Sequence, residues 1–392
     1  MSQKEKRFAL EGIHYRTGKQ VRVWVEGEII RDVEPLKHSQ TAESSWIGPG
    51  LVDLQINGYG GMDFNTPPFG EDMVENVTKA LWREGVTSYF PTITTNSDTA
   101  IEESVRKLSS AVDADPLLVK TIKGIHLEGP FISPEDGPRG AHPLEHIKPP
   151  DWDRFKKWQE AAKGRIKLIT LSPEWPGSAE FIAQCVVHGV KVAIGHTAAS
   201  SEQILKAVNG GATLSTHLGN GAHPVLPRHP NYIWDQLANE RLWTSMIADG
   251  FHLPDSVLTI IHKVKKRQVF LVSDSVYLAG LEAGEYETHI GGKVVLTPEG
   301  KLHLAENPKL LAGSVKSLRQ DIEYLSDRLL TFKEAWEMAS LYPSAFMEFA
   351  SQTGLEVGAP ADLVLFERQQ NRKNRIKILQ TYKAGKRVYS SH

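Results

Sequence analysis

An alternation of short apolar runs with stretches of helical periodicity, repeated between residues 50 and 274, constrains the fold of this chain more than any other feature. The runs have the length and apolar content of buried strands. Eight are present: Gly50 to Ile56, Thr87 to Thr92, Thr121 to Glu128, Ile166 to Ser172, Lys191 to His196, Ala212 to His217, Trp243 to Asp249 and Val269 to Asp274. Alternating strands and helices predict a parallel sheet, and eight units over about 225 residues are typical of an α/β fold, the (β/α)8 TIM barrel.

The stretches between these runs have the periodicity of amphipathic helices. Four of them are clear: Asp72 to Glu84, Asp98 to Ala111, Ala179 to Val187 and Ser201 to Val208. A doubly wound open sheet is the alternative fold for such a pattern. It is disfavoured because the Gly-x-Gly at Gly58 to Gly61 lacks the following helix and the downstream acidic residue of a dinucleotide-binding fingerprint.

The two ends of the chain have a different pattern, in which apolar and polar residues alternate. Examples are Val21 to Ile30 near the N-terminus, and Ala361 to Phe366 and Ile376 to Tyr389 near the C-terminus. This pattern is typical of antiparallel strands with one solvated face. Because the N-terminal stretch is too small for a core of its own, we predict that 1–48 and 355–392 together form a small β-sandwich domain beside a barrel domain at 49–354.

Composition excludes several classes of function. A formal charge of −2 and a pI near 6.7 give no reason to expect nucleic acid or an anionic membrane as a partner. Cys185 is the single cysteine, so no intramolecular disulfide can form, and its apolar helical surroundings predict a buried, inert thiol. With no run of about 18 apolar residues and no apolar leader, we expect a cytoplasmic protein.

Polar side chains close several of the predicted strands, at the end where a parallel barrel carries its active site. Glu128 ends the third strand, His196 the fifth and His217 the sixth. Any one of the 15 histidines could be an ordinary hydrogen-bonded residue, but these two close consecutive strands, which a barrel places side by side. Two histidines and one glutamate form a common catalytic zinc site that leaves one coordination position open. The sequence therefore predicts a metal site.

Asp274 ends the eighth strand and is not needed as a third ligand. Zinc in such a site lowers the pKa of bound water toward about 7, which favours hydrolysis at neutral pH. A carboxylate at this position can accept a proton from the water and return it to a leaving amine, although it could instead cap the next segment. A serine hydrolase has little support, because the chain has no Gly-x-Ser-x-Gly motif.

Several motifs taken together resemble the N-acetylglucosamine-6-phosphate deacetylases of the amidohydrolase superfamily. They are Pro49 to Gly58, His126-Leu127-Glu128-Gly129-Pro130, Gly195-His196-Thr197, Thr216-His217-Leu218, Ile247 to His252 and Leu271 to Asp274. The resemblance runs in order over nearly the whole chain. It implies a (β/α)8 barrel, usually dimeric, that removes acetate from an amino-sugar phosphate with one or two divalent metal ions.

The resemblance also implies roles for individual residues. Glu128, His196 and His217 would bind the metal and Asp274 would be the acid and base. His142 matches a histidine that helps to polarise the acetyl carbonyl.

Four further positions match substrate-binding residues of the family. Asn220 and Gly221 fall where a loop contacts the sugar phosphate, and His252 and Arg228 match residues that contact the phosphate. The family takes this arginine from the neighbouring subunit, so the resemblance implies a homodimer with Arg228 contributed across the interface. A guanidinium offers a phosphate paired, charged donors.

The sequence departs from the family pattern at two places. Many members of the superfamily have His-x-His after the first strand, whereas this chain has Gln55-x-Asn57, whose amides coordinate zinc poorly. We therefore expect one divalent ion, zinc in the first instance, with iron, manganese and cobalt as the alternatives. In Leu218 to His223 the family more often has an aromatic residue before the asparagine and Ala-Met after it, which bears on sugar specificity.

From the sequence we predict hydrolysis of N-acetylglucosamine 6-phosphate to glucosamine 6-phosphate and acetate. One alternative is a deacetylase of another N-acetylated sugar phosphate, such as N-acetylgalactosamine 6-phosphate. Another is a barrel that has lost catalysis and serves as a binding protein, as Gln55 and Asn57 could suggest. Retention of Glu128, His196, His217 and Asp274 argues against that last reading.

Overall fold

A computed structural model of the protein describes residues 7–37, 45–70, 72–288, 292–369 and 375–391. Its centre is a sheet of eight parallel strands in which neighbours along the chain are neighbours in the sheet. The strands are Leu51–Ile56, Val86–Thr94, Ile125–Glu128, Ile166–Leu171, Lys191–Ile194, Leu214–Ser215, Trp243–Met246 and Val269–Leu271. We call them the first to the eighth barrel strand. The predicted TIM barrel is confirmed.

Helices follow or connect these strands. Their bounds are Met73–Arg83, Asp98–Ala114, Pro116–Thr121, Trp152–Ala161, Ser178–Val187, Ser201–Gly210, Tyr232–Ala238, Asp255–Lys265, Leu318–Arg328, Phe332–Met338 and Leu341–Phe346, with short 3-10 turns at Leu144–His146, Lys266–Gln268 and Ala350–Thr353. None of the helices that the structure describes combines the length and apolar character needed to span a membrane.

Two sequence expectations about single elements have clear outcomes. The third strand begins at Ile125, so the prediction that it begins at Thr121 was wrong: Asp115 caps a short helix with Pro116 in its first turn, and this helix takes up Thr121. Cys185 lies fully buried in the helix Ser178–Val187, and burial raises the pKa of its thiol to about 12, as expected for an inert thiol.

The strands from the two ends of the chain pair in a single seven-stranded sheet. In sheet order they are Lys386–Ser390, Arg375–Lys383, Leu363–Gln369, Ser45–Pro49, Arg7–His14, Gln20–Glu26 and Ile29–Pro35. Lys383 Nζ forms a buried ion pair with Asp362 Oδ2 at 2.6 Å. The same ammonium group donates to Ser88 Oγ of the second barrel strand at 3.1 Å, which ties this sheet to the barrel. The division into 1–48 with 355–392 and 49–354 remains a prediction.

Sequence reasoning missed a third sheet, which is inserted between the eighth barrel strand and the helix Leu318–Arg328. Its four antiparallel strands, in sheet order Gly284–Thr288, Gly292–Leu296, Leu302–Leu304 and Asn307–Leu311, form what we call the inserted sheet. The signal was present in the alternating residues before and after the turn at Thr297 to Gly300.

The barrel closes where the first strand meets the chain just beyond the eighth. Asp274 N donates to Gln55 O at 3.0 Å, and Ile56 bridges Ser275 in parallel register. The buried carboxylate of Asp53 reinforces this seam: it accepts hydrogen bonds from the backbone N–H groups of Gln55 at 3.2 Å and of Ser273 at 3.2 and 3.3 Å. Burial raises the pKa of Asp53 to about 7, despite these hydrogen bonds.

This pKa predicts how stability responds to pH. A carboxyl whose pKa is raised on folding contributes stability at low pH that is lost as pH rises through the folded pKa, here about 7. Asp53→Asn stays neutral throughout, so its stability relative to wild type should increase between about pH 5 and about pH 8, by on the order of 1–3 kcal/mol. Denaturant unfolding of both proteins at the two pH values measures this difference. A difference in the free energy of unfolding that is the same at both pH values, or that shifts in favour of wild type as pH rises, would contradict the raised pKa of Asp53.

Candidate active site at the carboxyl end of the barrel

Glu128, His196 and His217, from three separate segments, meet at the carboxyl end of the barrel. Oε1 of Glu128 lies 2.9 Å from Nε2 of His217 and 3.3 Å from Nε2 of His196. One candidate ligand atom from each residue lies within 4.8 Å of the other two, and all three side chains are buried. Glu128 ends the third barrel strand, whereas the histidines lie just beyond the fifth and sixth.

The charge of this cluster is set by the carboxylate. Burial alone would raise the pKa of Glu128, but hydrogen bonding and charge from His196 and His217 outweigh it, so the pKa lies well below its usual range. Burial would lower the pKa of His217, and Glu128 instead raises it. An anionic carboxylate in this position requires positive charge beside it, from an imidazolium or from a metal ion.

The donor set fits a divalent cation. Nδ1 of His196 lies 2.8 Å from the carbonyl oxygen of Pro138. In the neutral ring, donation to that carbonyl fixes the proton on Nδ1 and leaves the Nε2 lone pair for a metal ion, which is the tautomer that a metal ligand needs. The backbone N–H of His217 donates to Ser245 Oγ at 2.7 Å, which holds that residue at its strand end. Two imidazoles and a carboxylate are the ligand types of zinc and related ions.

Three residues of the site have strained backbone conformations. His196, His217 and Asp274 have φ values of 50°, 27° and 47°, in the region that favours glycine. Such conformations cost about 1–3 kcal/mol each and persist only where the surroundings impose them. Gly221 relieves crowding nearby, since a Cβ at this position would lie 2.5 Å from Nδ1 of His196.

Two amide side chains at the end of the first barrel strand donate hydrogen bonds to Asp274, and one of them also reaches Glu128. Nε2 of Gln55 donates to Glu128 Oε1 at 2.8 Å and to Asp274 Oδ1 at 3.1 Å. Nδ2 of Asn57 donates to the same Asp274 oxygen at 2.7 Å. Sequence reasoning treated Gln55 and Asn57 as poor metal ligands and missed this role as donors.

The pKa of Asp274 lies close to neutral pH, so both protonation states of its carboxyl group are accessible. Burial, followed by the charge of Glu128, raises its pKa to about 6, while His217 and the Asn57 hydrogen bond act in the opposite direction. A carboxyl with such a pKa can both accept and release a proton near neutral pH.

His142 lines the same cleft, beside His196. Its ring packs edge-on against His196 with centroids 4.5 Å apart, and its Nδ1 lies 2.8 Å from Thr95 Oγ1. Burial, together with nearby His196, lowers the pKa of His142 to about 3, so the ring is neutral at physiological pH.

The remaining predicted substrate residues divide into two groups. Asn220, Gly221 and His252 line the same cleft as the metal-ligand cluster. Nδ1 of His252 lies 2.7 Å from Oδ2 of Asp249, and the backbone N–H of His252 donates to Oδ1 of the same carboxylate, so the acid that ends the seventh predicted strand orients this histidine. Arg228 is exposed and does not line the cleft of its own chain.

The cleft has a volume of about 440 Å³, within the range of small-molecule sites. Its floor contains the cluster and Asp274, and its outer wall includes Lys309 to Gly313 of the inserted sheet and the segment after it. The size favours a substrate of the dimensions of a monosaccharide derivative.

These features place the chain in a known class. Residues 46–388 match the model of the amidohydrolase family, and the chain belongs to that family. Within it, the chain is similar to an N-acetylglucosamine-6-phosphate deacetylase of Homo sapiens, with 31% identity over 96% of this chain and 94% of the relative. It belongs with these deacetylases and is a hydrolytic enzyme.

Two further comparisons bear on the fold and the specificity. A crystal structure of N-acetyl-D-glucosamine-6-phosphate deacetylase from Mycobacterium smegmatis superposes with a TM-score of 0.84 at 25% identity, covering 97% of this chain and all of that one. An N-acetylgalactosamine-6-phosphate deacetylase of Shewanella sp. is 30% identical over 87% of this chain and 83% of the relative.

Proposed function

We propose that the protein hydrolyses the N-acetyl group of N-acetylglucosamine 6-phosphate, producing glucosamine 6-phosphate and acetate. The observation that carries this proposal is the buried cluster of Glu128, His196 and His217 beside Asp274, in a cleft of monosaccharide size. Family membership supports the reaction class, and the names of the relatives support the substrate.

Glu128, His196 and His217 would hold one divalent metal ion, zinc in the first instance, with iron, manganese and cobalt as alternatives. When bound, such an ion acts as a Lewis acid toward the acetyl carbonyl and the attacking water. We propose a single ion, because Gln55 and Asn57 use their amide N–H groups on Glu128 and Asp274.

Asp274 would handle the proton throughout the reaction. In the proposed sequence it takes a proton from the attacking water as the oxygen bonds to the acetyl carbon. It then delivers that proton to the sugar nitrogen as the C–N bond breaks. Gln55 and Asn57, both donating to Asp274 Oδ1, keep the carboxyl oriented toward the cleft.

His142 would polarise the acetyl carbonyl. A neutral imidazole has one N–H group; if Nδ1 accepts the Thr95 hydroxyl, Nε2 carries the proton and can donate to the carbonyl oxygen. The low pKa of His142 keeps this arrangement over the physiological range.

Asn220, Gly221 and His252 would bind the sugar phosphate at the cleft wall. The side chain of Asn220 donates to His217 O at 3.1 Å, which connects this loop to a proposed metal ligand. The second candidate substrate is N-acetylgalactosamine 6-phosphate, favoured by the Shewanella relative.

Acetate release from the two epimeric N-acetylhexosamine 6-phosphates tests the substrate assignment. We expect release from the glucosamine derivative, loss after treatment with a chelator, and recovery with zinc at one ion per chain by elemental analysis. Preference for the galactosamine derivative would select the second substrate. No release from either, with metal bound, would reject the deacetylase function.

Asp274→Asn tests the proton-transfer role. The amide cannot accept a proton from water, so turnover should fall on the order of 100- to 10,000-fold while metal content stays near wild type. Steady-state kinetics together with metal analysis measure both effects. Near-normal turnover in this variant would exclude Asp274 as the base.

We also propose a homodimer in which Arg228 reaches the neighbour's cleft. Arg228 lies outside its own cleft, and two apolar side chains close to it in sequence are exposed: Val225 is 83% exposed and Trp234 is 53% exposed. Exposed apolar groups of this kind are common at interfaces.

We also propose a cytoplasmic location for the protein. Fractionating cells that produce the protein checks this location.

Mixed dimers test the shared site. Arg228→Met and Asp274→Asn should each be nearly inactive as homodimers. In the mixed dimer, the subunit with intact Asp274 receives Arg228 from its partner, so mixing should restore up to half of the wild-type activity per dimer. If Arg228 served its own subunit, neither site of the mixed dimer would be complete and mixing would restore nothing. Native mass spectrometry of variants that carry affinity tags of different mass confirms that the subunits have exchanged.

A further inference from the structure

Apart from the proposed metal ion and the arginine proposed to come from the neighbouring subunit, the lining of the cleft offers little positive charge to a phosphorylated substrate. A phosphate monoester carries nearly two negative charges near neutral pH, while Asp63, Glu128 and Asp274 all line the cleft. His252, also on the wall, is paired with Asp249. Among the described lining residues, Lys309 is the one lysine or arginine.

Lys309 lies in a bulge of the inserted sheet. In the pairing of Leu302–Leu304 with Asn307–Leu311, His303 faces Leu311 and the next residue, Leu304, faces Asn307. Residues 308–310 therefore bulge out of the ladder. Bulges re-aim side chains and are common beside active sites.

The bulge is anchored through its backbone. Lys301 Nζ donates to the carbonyl oxygen of Pro308 at 2.6 Å, and Lys309 N donates to Asn307 Oδ1 at 3.1 Å. These contacts fix the turn without using the Lys309 side chain, so its ammonium group is not needed to hold the bulge together.

The Lys309 ammonium makes no ion pair or hydrogen bond with the part of the chain that the structure describes. The neighbouring lysines differ: Lys301 donates to Pro308 O and Lys316 donates to Glu299 O. A solvated lysine at the rim of an otherwise acidic cleft keeps its full charge for a ligand.

We propose that Lys309 binds the phosphate group of the substrate from within its own subunit and thereby selects phosphorylated over unphosphorylated N-acetylhexosamines. This inference rests on the proposed function and adds to it a specificity residue located in the inserted sheet. Lysine acts here as a compact point charge, so the contact depends on charge more than on donor geometry.

Lys309→Met tests the proposal, with Lys293→Met as the matched control. Lys293 is exposed on the strand Gly292–Leu296 of the same sheet but does not line the cleft. Lys309→Met should raise KM for N-acetylglucosamine 6-phosphate on the order of 10-fold or more, with kcat changed less than about 2-fold. Activity on unphosphorylated N-acetylglucosamine should not change, and Lys309→Arg should recover most of the affinity.

Calorimetric binding of glucosamine 6-phosphate provides a readout that needs no turnover. We expect binding to weaken in Lys309→Met and to remain at the wild-type level in Lys293→Met. Equal affinity in wild type and Lys309→Met would overturn the role of Lys309, even if acetate release supports the deacetylase function. Weaker binding in that variant, in a protein that releases no acetate, would support Lys309 and reject the proposed reaction. A wild-type protein that binds no sugar phosphate would overturn both.

Discussion

The structure of the site depends on one buried carboxylate. Glu128 lies between two imidazoles at the carboxyl end of the barrel and is only 3% exposed. An ionised carboxylate in such a place is costly unless positive charge compensates it. The surrounding residues provide for that compensation: the tautomer of His196 is set by Pro138, and the backbone of His217 is held by Ser245. A metal ion would satisfy the same requirement.

The second constraint is closure of the barrel. The first and eighth strands are far apart in sequence, yet Asp53, Gln55 and Asn57 all form hydrogen bonds with Ser273 or Asp274. The seam that completes the sheet therefore also orients the proposed acid and base. Strain at Asp274, with φ at 47°, is sustained by these bonds, so the stability of the barrel and the geometry of the site are coupled.

Sequence reasoning succeeded where position along a strand decides position in space. Glu128, His196 and His217 could be grouped because parallel strands bring their carboxyl ends together. It failed where a side chain's partner lies across a long sequence separation, as for Gln55 and Asp274, 219 residues apart. The inserted sheet was missed because its alternating residues lie within 49–354, the range that was predicted as the barrel domain. The position of Lys309 in the cleft could not be predicted from the sequence, because it depends on the bulge.

The central claim is that Glu128 Oε1, His196 Nε2 and His217 Nε2 bind one common cation. The most direct measurement is anomalous diffraction from crystals of the purified protein, collected on both sides of the zinc absorption edge. The account predicts one anomalous peak per chain within coordination distance of all three atoms, about 2.0–2.2 Å. A fully occupied metal elsewhere, with these three side chains bonded only to one another, would contradict it.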